Sequence, residues 1–304
     1  MNYKSFADLS ADIKSNLHKI PKDVSLVVGI PRSGLLAANL ISVYLNLPLT
    51  DIDSFIEGKV LSPCTQSRIK EENIFTGKIL IVDDSVATGK AIVDARQKLA
   101  AVLANKNYQL LFCCVYAEPA RKNMVDIPLM LLDRPRLFEW NIFHNSILSS
   151  SCVELDGVLC KAYEGIVKGK DEVYQQHIAN VQPNFIPKSK IAVIATSRQE
   201  KWRAVTEEWL KSNKIQFGEL VMANNEESNP ALYKANFYKK RSKLQLFLEG
   251  SKKEALQIFE LTGKDVYCLE DNTMLTRMNY KKLSLQIKRR SIYLFRDIKE
   301  TLTK

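Results

Sequence analysis

The run Lys78-Ile79-Leu80-Ile81-Val82-Asp83-Asp84-Ser85-Val86-Ala87-Thr88-Gly89-Lys90-Ala91 decides how this chain folds. Ile79 to Val82 is a short, unbroken, β-branched-rich apolar segment, which predicts an inner parallel strand covered on both faces. Asp83 and Asp84 then fall at the carboxyl end of that strand, where open α/β sheets bind ligands. The turn Ser85-Val86-Ala87-Thr88-Gly89 adds backbone N–H groups, hydroxyls and a helix beginning near Thr88, a set suited to an anion. Carboxylates beside an anion cradle make sense together for a sugar phosphate. The acids accept hydrogen bonds from sugar hydroxyls while the turn holds the phosphate.

Working outward, Phe6, Leu9, Ile13, Leu17 and Ile20 recur at helical spacing, and Pro21 ends that helix. Ser25 to Ile30 reads as a second buried strand. It runs through Pro31-Arg32-Ser33-Gly34 into a helix reaching Leu45, which again places a turn with a cation at a helix start. Pro48 to Asp53 reads as a further strand. Ser54 to Phe75 is polar and irregular, and a loop of that length is usually functional or mobile. Beyond the acid pair, a helix over Ala91 to Ala104 and strands at Tyr108 to Tyr116 and Pro128 to Leu132 complete the alternation. Strands alternating with helices imply a doubly wound parallel α/β sheet. The aromatics of Asp133 to Asn141 suit either an acceptor stacking surface or core.

The acid-pair stretch resembles the 5-phosphoribosyl 1-diphosphate (PRPP) signature of type I phosphoribosyltransferases, and Pro31 to Gly34 resembles the diphosphate loop of that family. The resemblance implies that PRPP is bound by Pro31, Arg32, Ser33, Gly34, Ser85, Val86, Ala87, Thr88, Gly89 and Lys90. It assigns Arg32 to the leaving diphosphate, Asp83 and Asp84 to the ribose hydroxyls, and Arg68 and Lys70 to a lid. It also implies Mg²⁺ as cofactor, with Asp83 and Asp84 reaching the ion through PRPP or water.

Ser149-Ser150-Ser151 reads as the junction between two halves, with expected domains of 1–147 and 148–304. Cys152-Val153-Glu154-Leu155-Asp156-Gly157-Val158-Leu159-Cys160 resembles the first motif of the haloacid dehalogenase superfamily. There Glu154 stands at the nucleophile position and Asp156 at the acid/base position. A strand ending in Thr196, a lysine at Lys234 or Lys239, and Glu249 after an apolar strand fit the later motifs. The extra methylene of Glu154 displaces the attacking oxygen, and misplacement on that scale is costly to catalysis. Glu249 lacks a paired acid and is followed by Lys252 and Lys253, which disfavours a cation. The expectation is a vestigial phosphatase acting as scaffold or acceptor platform, against an active one in a bifunctional transferase-phosphatase.

The chain has 304 residues and a net charge of +10, which suits anionic ligands. No zinc-finger, RNP-type or basic-zipper pattern points to nucleic acid. The six cysteines form no C-x-x-C pair and read as buried thiols of a reducing compartment. No signal peptide or bilayer-length apolar run is present, so a cytoplasmic protein is expected. The basic tail Arg277 to Lys304, with interleaved apolar residues, is a candidate contact for the inner face of the membrane or a lipid-linked acceptor.

The acceptor is less legible. The 6-oxopurine members of the resembled family carry an Asp immediately before the Thr-Gly of the turn; here Ala87 occupies that place. An orotate enzyme would place a catalytic lysine on the lid, a role open to Lys70. The fused arrangement resembles bacterial enzymes that transfer ribofuranose from PRPP to surface polysaccharides, with a phosphatase removing the 5-phosphate afterwards. That implies a glycan hydroxyl as acceptor and a general base, for which Asp51, Asp53, Glu57 and Glu118 are candidates. The competing readings are a nucleobase phosphoribosyltransferase and a PRPP-binding regulator without turnover.

Overall fold

The computed structural model describes residues 1–61, 77–103, 108–165, 171–224 and 229–277. The lid candidates Arg68 and Lys70, Cys64, and the basic tail beyond Arg277 lie outside these residues. The chain divides into two compact units, Met1–Trp140 and Asn141–Lys304. This division falls ahead of the serine run: Ser149 and Ser150 belong to a short 3-10 helix, and Ser151 begins a strand.

The first unit contains, in order, β1 (Asn2–Lys4), α1 (Phe6–Asn16), β2 (Val24–Gly29), α2 (Ser33–Leu45), β3 (Leu49–Asp51), α3 (Ile52–Ile56), β4 (Lys78–Val86), α4 (Lys90–Leu103), β5 (Leu110–Ala117), β6 (Ile127–Leu131) and β7 (Arg136–Phe138). Its main sheet has the order β3-β2-β4-β5-β6, and every pairing is parallel. Alternate residues of β4 serve opposite layers, as the period of two requires. Ile79 and Ile81 join the core beneath α4 with Ile92, Ala95 and Leu99. Leu80 and Val82 join the core beneath α1 and α2 with Leu9, Ile13, Ala38 and Ile41. All four β4 residues are fully buried, so the strand is covered on both faces. From β2 the chain steps outward to β3, then returns to the other side of β2 with β4. The crevice between the carboxyl ends of β2 and β4 is therefore the switch point of the sheet, where such folds hold ligands. The strands β1 and β7 form a separate parallel pair.

Local boundaries differ from the sequence expectation for identifiable reasons. Strand β4 runs past both acids to Val86, because Asp83, Ser85 and Val86 continue the ladder with Cys114, Tyr116 and Ala117. The following helix begins at Lys90 rather than Thr88, after Gly89 turns the chain at φ +80°. Ile52 and Asp53 are helical rather than extended, since Asp51 caps α3 by accepting from the N–H groups of Asp53 and Ser54.

The second unit contains β8 (Ser151–Val153), α5 (Asp171–Asn180), β9 (Ile191–Gln199), α6 (Arg203–Ser212), β10 (Phe217–Ala223), α7 (Pro230–Lys240), β11 (Leu246–Glu249), α8 (Lys252–Thr262), β12 (Val266–Cys268) and β13 (Thr273–Leu275). The sheet order is β10-β9-β8-β11-β12-β13, parallel except for β13. It too is doubly wound, with its switch point between β8 and β11. Strand β8 is shorter than the Cys152–Cys160 motif: beyond Glu154 the chain folds back, with Leu159 and Cys160 donating to the Leu155 carbonyl. No helix among the described residues is long and apolar enough to cross a membrane.

Candidate functional site

The switch-point crevice of the first unit gathers the acid pair and both turns. Gly34 packs so closely on β4 that a Cβ there would lie 2.7 Å from the Val82 carbonyl oxygen and 2.9 Å from Asp83 Oδ1. Only glycine lets the Pro31–Gly34 loop approach the acids in this way. The Pro31–Arg32 peptide is cis, and Arg32 is exposed at the cap of α2. Ser33, the first residue of α2, donates its hydroxyl to Asp84 Oδ1 at 2.8 Å. On the other side, Ser85 and Val86 end β4, Ala87 is half-buried, Thr88 is exposed, and Lys90 starts α4 with its N–H 3.3 Å from Thr88 Oγ1.

The two acids have different surroundings. Asp84 Oδ2 accepts a 2.8 Å hydrogen bond from Trp140 Nε1, so each of its oxygens already has a donor. Asp83 Oδ1 accepts the Asp84 backbone N–H at 2.9 Å. Burial, reinforced by the charge of Asp84, pushes Asp83 up to about 8.

The four base candidates separate. Asp51 is spent on the α3 cap, and the Ser54 backbone N–H and hydroxyl hold it below the usual carboxylate range. Asp53 is ion-paired with Lys98, and Glu57 with Lys59 on the surface. Glu118 directly follows β5, the strand beside the acid pair, and its N–H bonds the Val86 carbonyl at 3.2 Å. Its carboxylate takes Arg134 at 2.5 Å and lies 3.7 Å from Arg136. Arg136 is buried, which pulls it below its ordinary value while Glu118 opposes that pull. Arg136 and the Trp140 contact were not anticipated from sequence. Trp140 is 56 residues from Asp84, and no local pattern links them.

Residues 2–148 match the phosphoribosyl transferase domain. The first unit is a phosphoribosyltransferase domain. It is structurally similar to a Helicobacter pylori xanthine-guanine-hypoxanthine phosphoribosyltransferase, with 16% identity over 46% of this chain and 92% of that one, at a TM-score of 0.34. It is similar also to a Pyrococcus horikoshii purine phosphoribosyltransferase, with 18% identity over 45% and 92% at 0.32. An Aeropyrum pernix orotate phosphoribosyltransferase shows 17% identity over 41% and 70% at 0.29. No curated protein matches the chain. The assignment rests on the family match, and it makes the protein a phosphoribosyltransferase with PRPP as donor.

In the second unit the five residues singled out from sequence converge at the carboxyl ends of β8, β9 and β11, with Lys234 reaching in from α7. Lys234 is buried, and its ammonium contacts Glu154, Glu249 at 2.7 Å and Glu254 at 2.7 Å. Glu249 is thus not isolated: it shares the lysine with Glu154 and with Glu254 from the first turn of α8. Burial pushes Glu154 up to about 8, with Lys234 opposing and Glu249 adding to the rise. Asp156 is held by Arg198, whose side chain is wholly buried, and accepts from Thr196 Oγ1 at 3.3 Å. Arg198 was missed in the sequence although it lies two residues from Thr196, on the same face of β9.

Proposed function

We propose that the phosphoribosyltransferase unit moves 5-phosphoribose from PRPP, with inversion at the anomeric carbon, to a sugar hydroxyl of a glycan or lipid-linked glycan. The observation that carries the acceptor choice is Ala87. A half-buried methyl stands where the purine enzymes of the family place a ring-binding Asp, and it offers a nucleobase no hydrogen bond.

In this reading the Ser85–Lys90 turn anchors the 5-phosphate and Arg32 faces the diphosphate, which fixes the anomeric carbon over the acids. Asp84 is the ribose-facing carboxylate. Asp83, held protonated at neutral pH, donates a hydrogen bond to a ribose oxygen. All four base candidates carry partners: Asp51 caps α3, Asp53 and Glu57 each take a lysine, and Glu118, which adjoins the strand of the acid pair, is held by Arg134 and Arg136, so the geometry selects none of them as the base. Among the described residues no cluster of three metal-binding side chains occurs. Each Asp84 oxygen has one donor and keeps one acceptor position, and the acid pair fits Mg²⁺ carried by the diphosphate and reached through water. Bound there, Mg²⁺ neutralises charge on the leaving diphosphate.

The second unit supports the same reading as a haloacid dehalogenase-like scaffold without phosphatase activity. Its doubly wound sheet presents Glu154, Asp156, Thr196, Lys234 and Glu249 at one edge, but Arg198 occupies Asp156 and Lys234 sits among the carboxylates. A separate enzyme then removes the 5-phosphate.

The test is mass spectrometry of products formed from PRPP and Mg²⁺ with a panel of glycosides, purines and orotate. A phosphoribosylated glycoside is expected, lost in the Asp83→Asn/Asp84→Asn double variant. A phosphoribosylated base would replace the proposal with nucleobase transfer, and binding without turnover would replace it with a regulator.

A further inference from the structure

Trp140 is the last residue of the first unit, and its indole is turned edge-on to the acid pair. We propose that Trp140 is a positioning residue for phosphoribosyl transfer, fixing the Asp84 carboxylate from the side opposite the diphosphate loop; this rests on the donor-site reading above.

The geometry is specific. Trp140 Nε1 donates to Asp84 Oδ2 at 2.8 Å and Ser33 Oγ to Oδ1 at 2.8 Å. An indole has one N–H and no acceptor, so this bond uses its whole polar capacity. A carboxylate has about four acceptor positions. With one donor on each oxygen, Asp84 keeps a free position on both for sugar hydroxyls. The two donors come from different elements, the start of α2 and the segment after β7, so together they fix the rotation of the carboxylate about its own axis.

The indole is itself held in place. Its ring stacks on Phe138 at 4.9 Å with an interplanar angle of 15°, and lies 6.4 Å from Tyr116 and 5.7 Å from Phe6. Tyr116 is tied down in turn by its hydroxyl bond to Asp12 at 2.8 Å, and Asp12 also takes Lys4 at 2.7 Å. The backbone of Phe6 is bonded to Glu139, the neighbour of Trp140, at 2.9 Å. A ring so packed is a fixed donor and not a free stacking surface for an acceptor. Misplacement of a reacting group by about 1 Å costs on the order of 100-fold in rate.

The test uses the full chain and two readouts. The protein has three tryptophans, so its indole N–H region in a ¹⁵N-correlated NMR spectrum holds three signals. Trp140→Phe identifies one by its loss, and Asp84→Ala should move that signal upfield. In steady-state transfer, Trp140→Phe should lower kcat at least about tenfold while KM for PRPP stays within about threefold. Trp140→His, which keeps a ring N–H and loses packing, should recover part of that kcat. A signal unmoved by Asp84→Ala, an unchanged kcat in Trp140→Phe, or a loss confined to KM would overturn the proposal. Failure of the parent reading looks different: wild-type protein would turn over no PRPP with any acceptor. The Trp140 signal on addition of PRPP and Mg²⁺ then decides, a shift supporting the assignment and no shift overturning it.

Discussion

The Arg198 guanidinium holds Asp156 through two hydrogen bonds, Nε to Oδ2 at 2.9 Å and Nη2 to Oδ1 at 2.7 Å. It also reaches Thr206 and Cys160, so its donors are distributed through a buried network. A carboxylate gripped this way is a poor proton shuttle, because releasing it exposes a buried cation with no partner. Wild-type protein should therefore release no phosphate above background from ribose 5-phosphate esters in a colorimetric assay. Arg198→Met should cost the second unit about 3–5 kcal/mol in denaturant unfolding, the usual penalty for breaking a buried ion pair.

The same unit offers a contrast between the two signs of its buried charge. Lys234 is one ammonium among three glutamates, so Lys234→Met leaves carboxylates unpaired and should cost about 3–5 kcal/mol. Glu154→Gln removes a carboxyl that burial already holds towards its neutral form, and should change stability by no more than about 1 kcal/mol. Equal losses in the two variants would show that the charge assignment is wrong. Glu154→Gln should also leave phosphoribosyl transfer within about twofold of wild type, as expected for independent sites.

Asp83 makes the first unit pH-sensitive in a definite direction. Its folded value is raised from 3.8 to about 8, so the native state binds a proton that the unfolded chain gives up near pH 4. The stability this proton contributes is complete below that lower value and is lost as pH rises towards 8. Asp83→Asn should flatten the fall in stability across this window, by about 2–4 kcal/mol relative to wild type. Thermal melts of both proteins at a series of pH values check it, and parallel curves would refute it.

Gly34→Ala tests the close approach of the Pro31–Gly34 loop to β4. The added methyl meets backbone on β4 at 2.7 Å and 2.9 Å, which a flexible side chain cannot relieve. The variant should lose about 1–3 kcal/mol and, by pushing the loop off Asp83, about 100-fold in transfer rate. A variant that is destabilised but transfers at the wild-type rate would separate packing from function at this position.

What the sequence determined by itself was local. An apolar run of four, two acids and a small-residue turn define β4 and its crevice. Pro31 to Gly34 define the companion turn, because strand periodicity and turn chemistry act over a few neighbouring residues. Tertiary structure decided which partner each charge has. Trp140 reaches Asp84 only because the segment after β7 returns to the carboxyl end of β4, and Lys234 meets three glutamates only because α7 and α8 flank the ends of β8 and β11. Asp51 looked like any candidate base until its backbone turned into α3 and used it as a cap. A side chain's protonation and orientation depend on burial and on donors supplied from distant strands, and those are set by sheet order and register rather than by spacing along the chain.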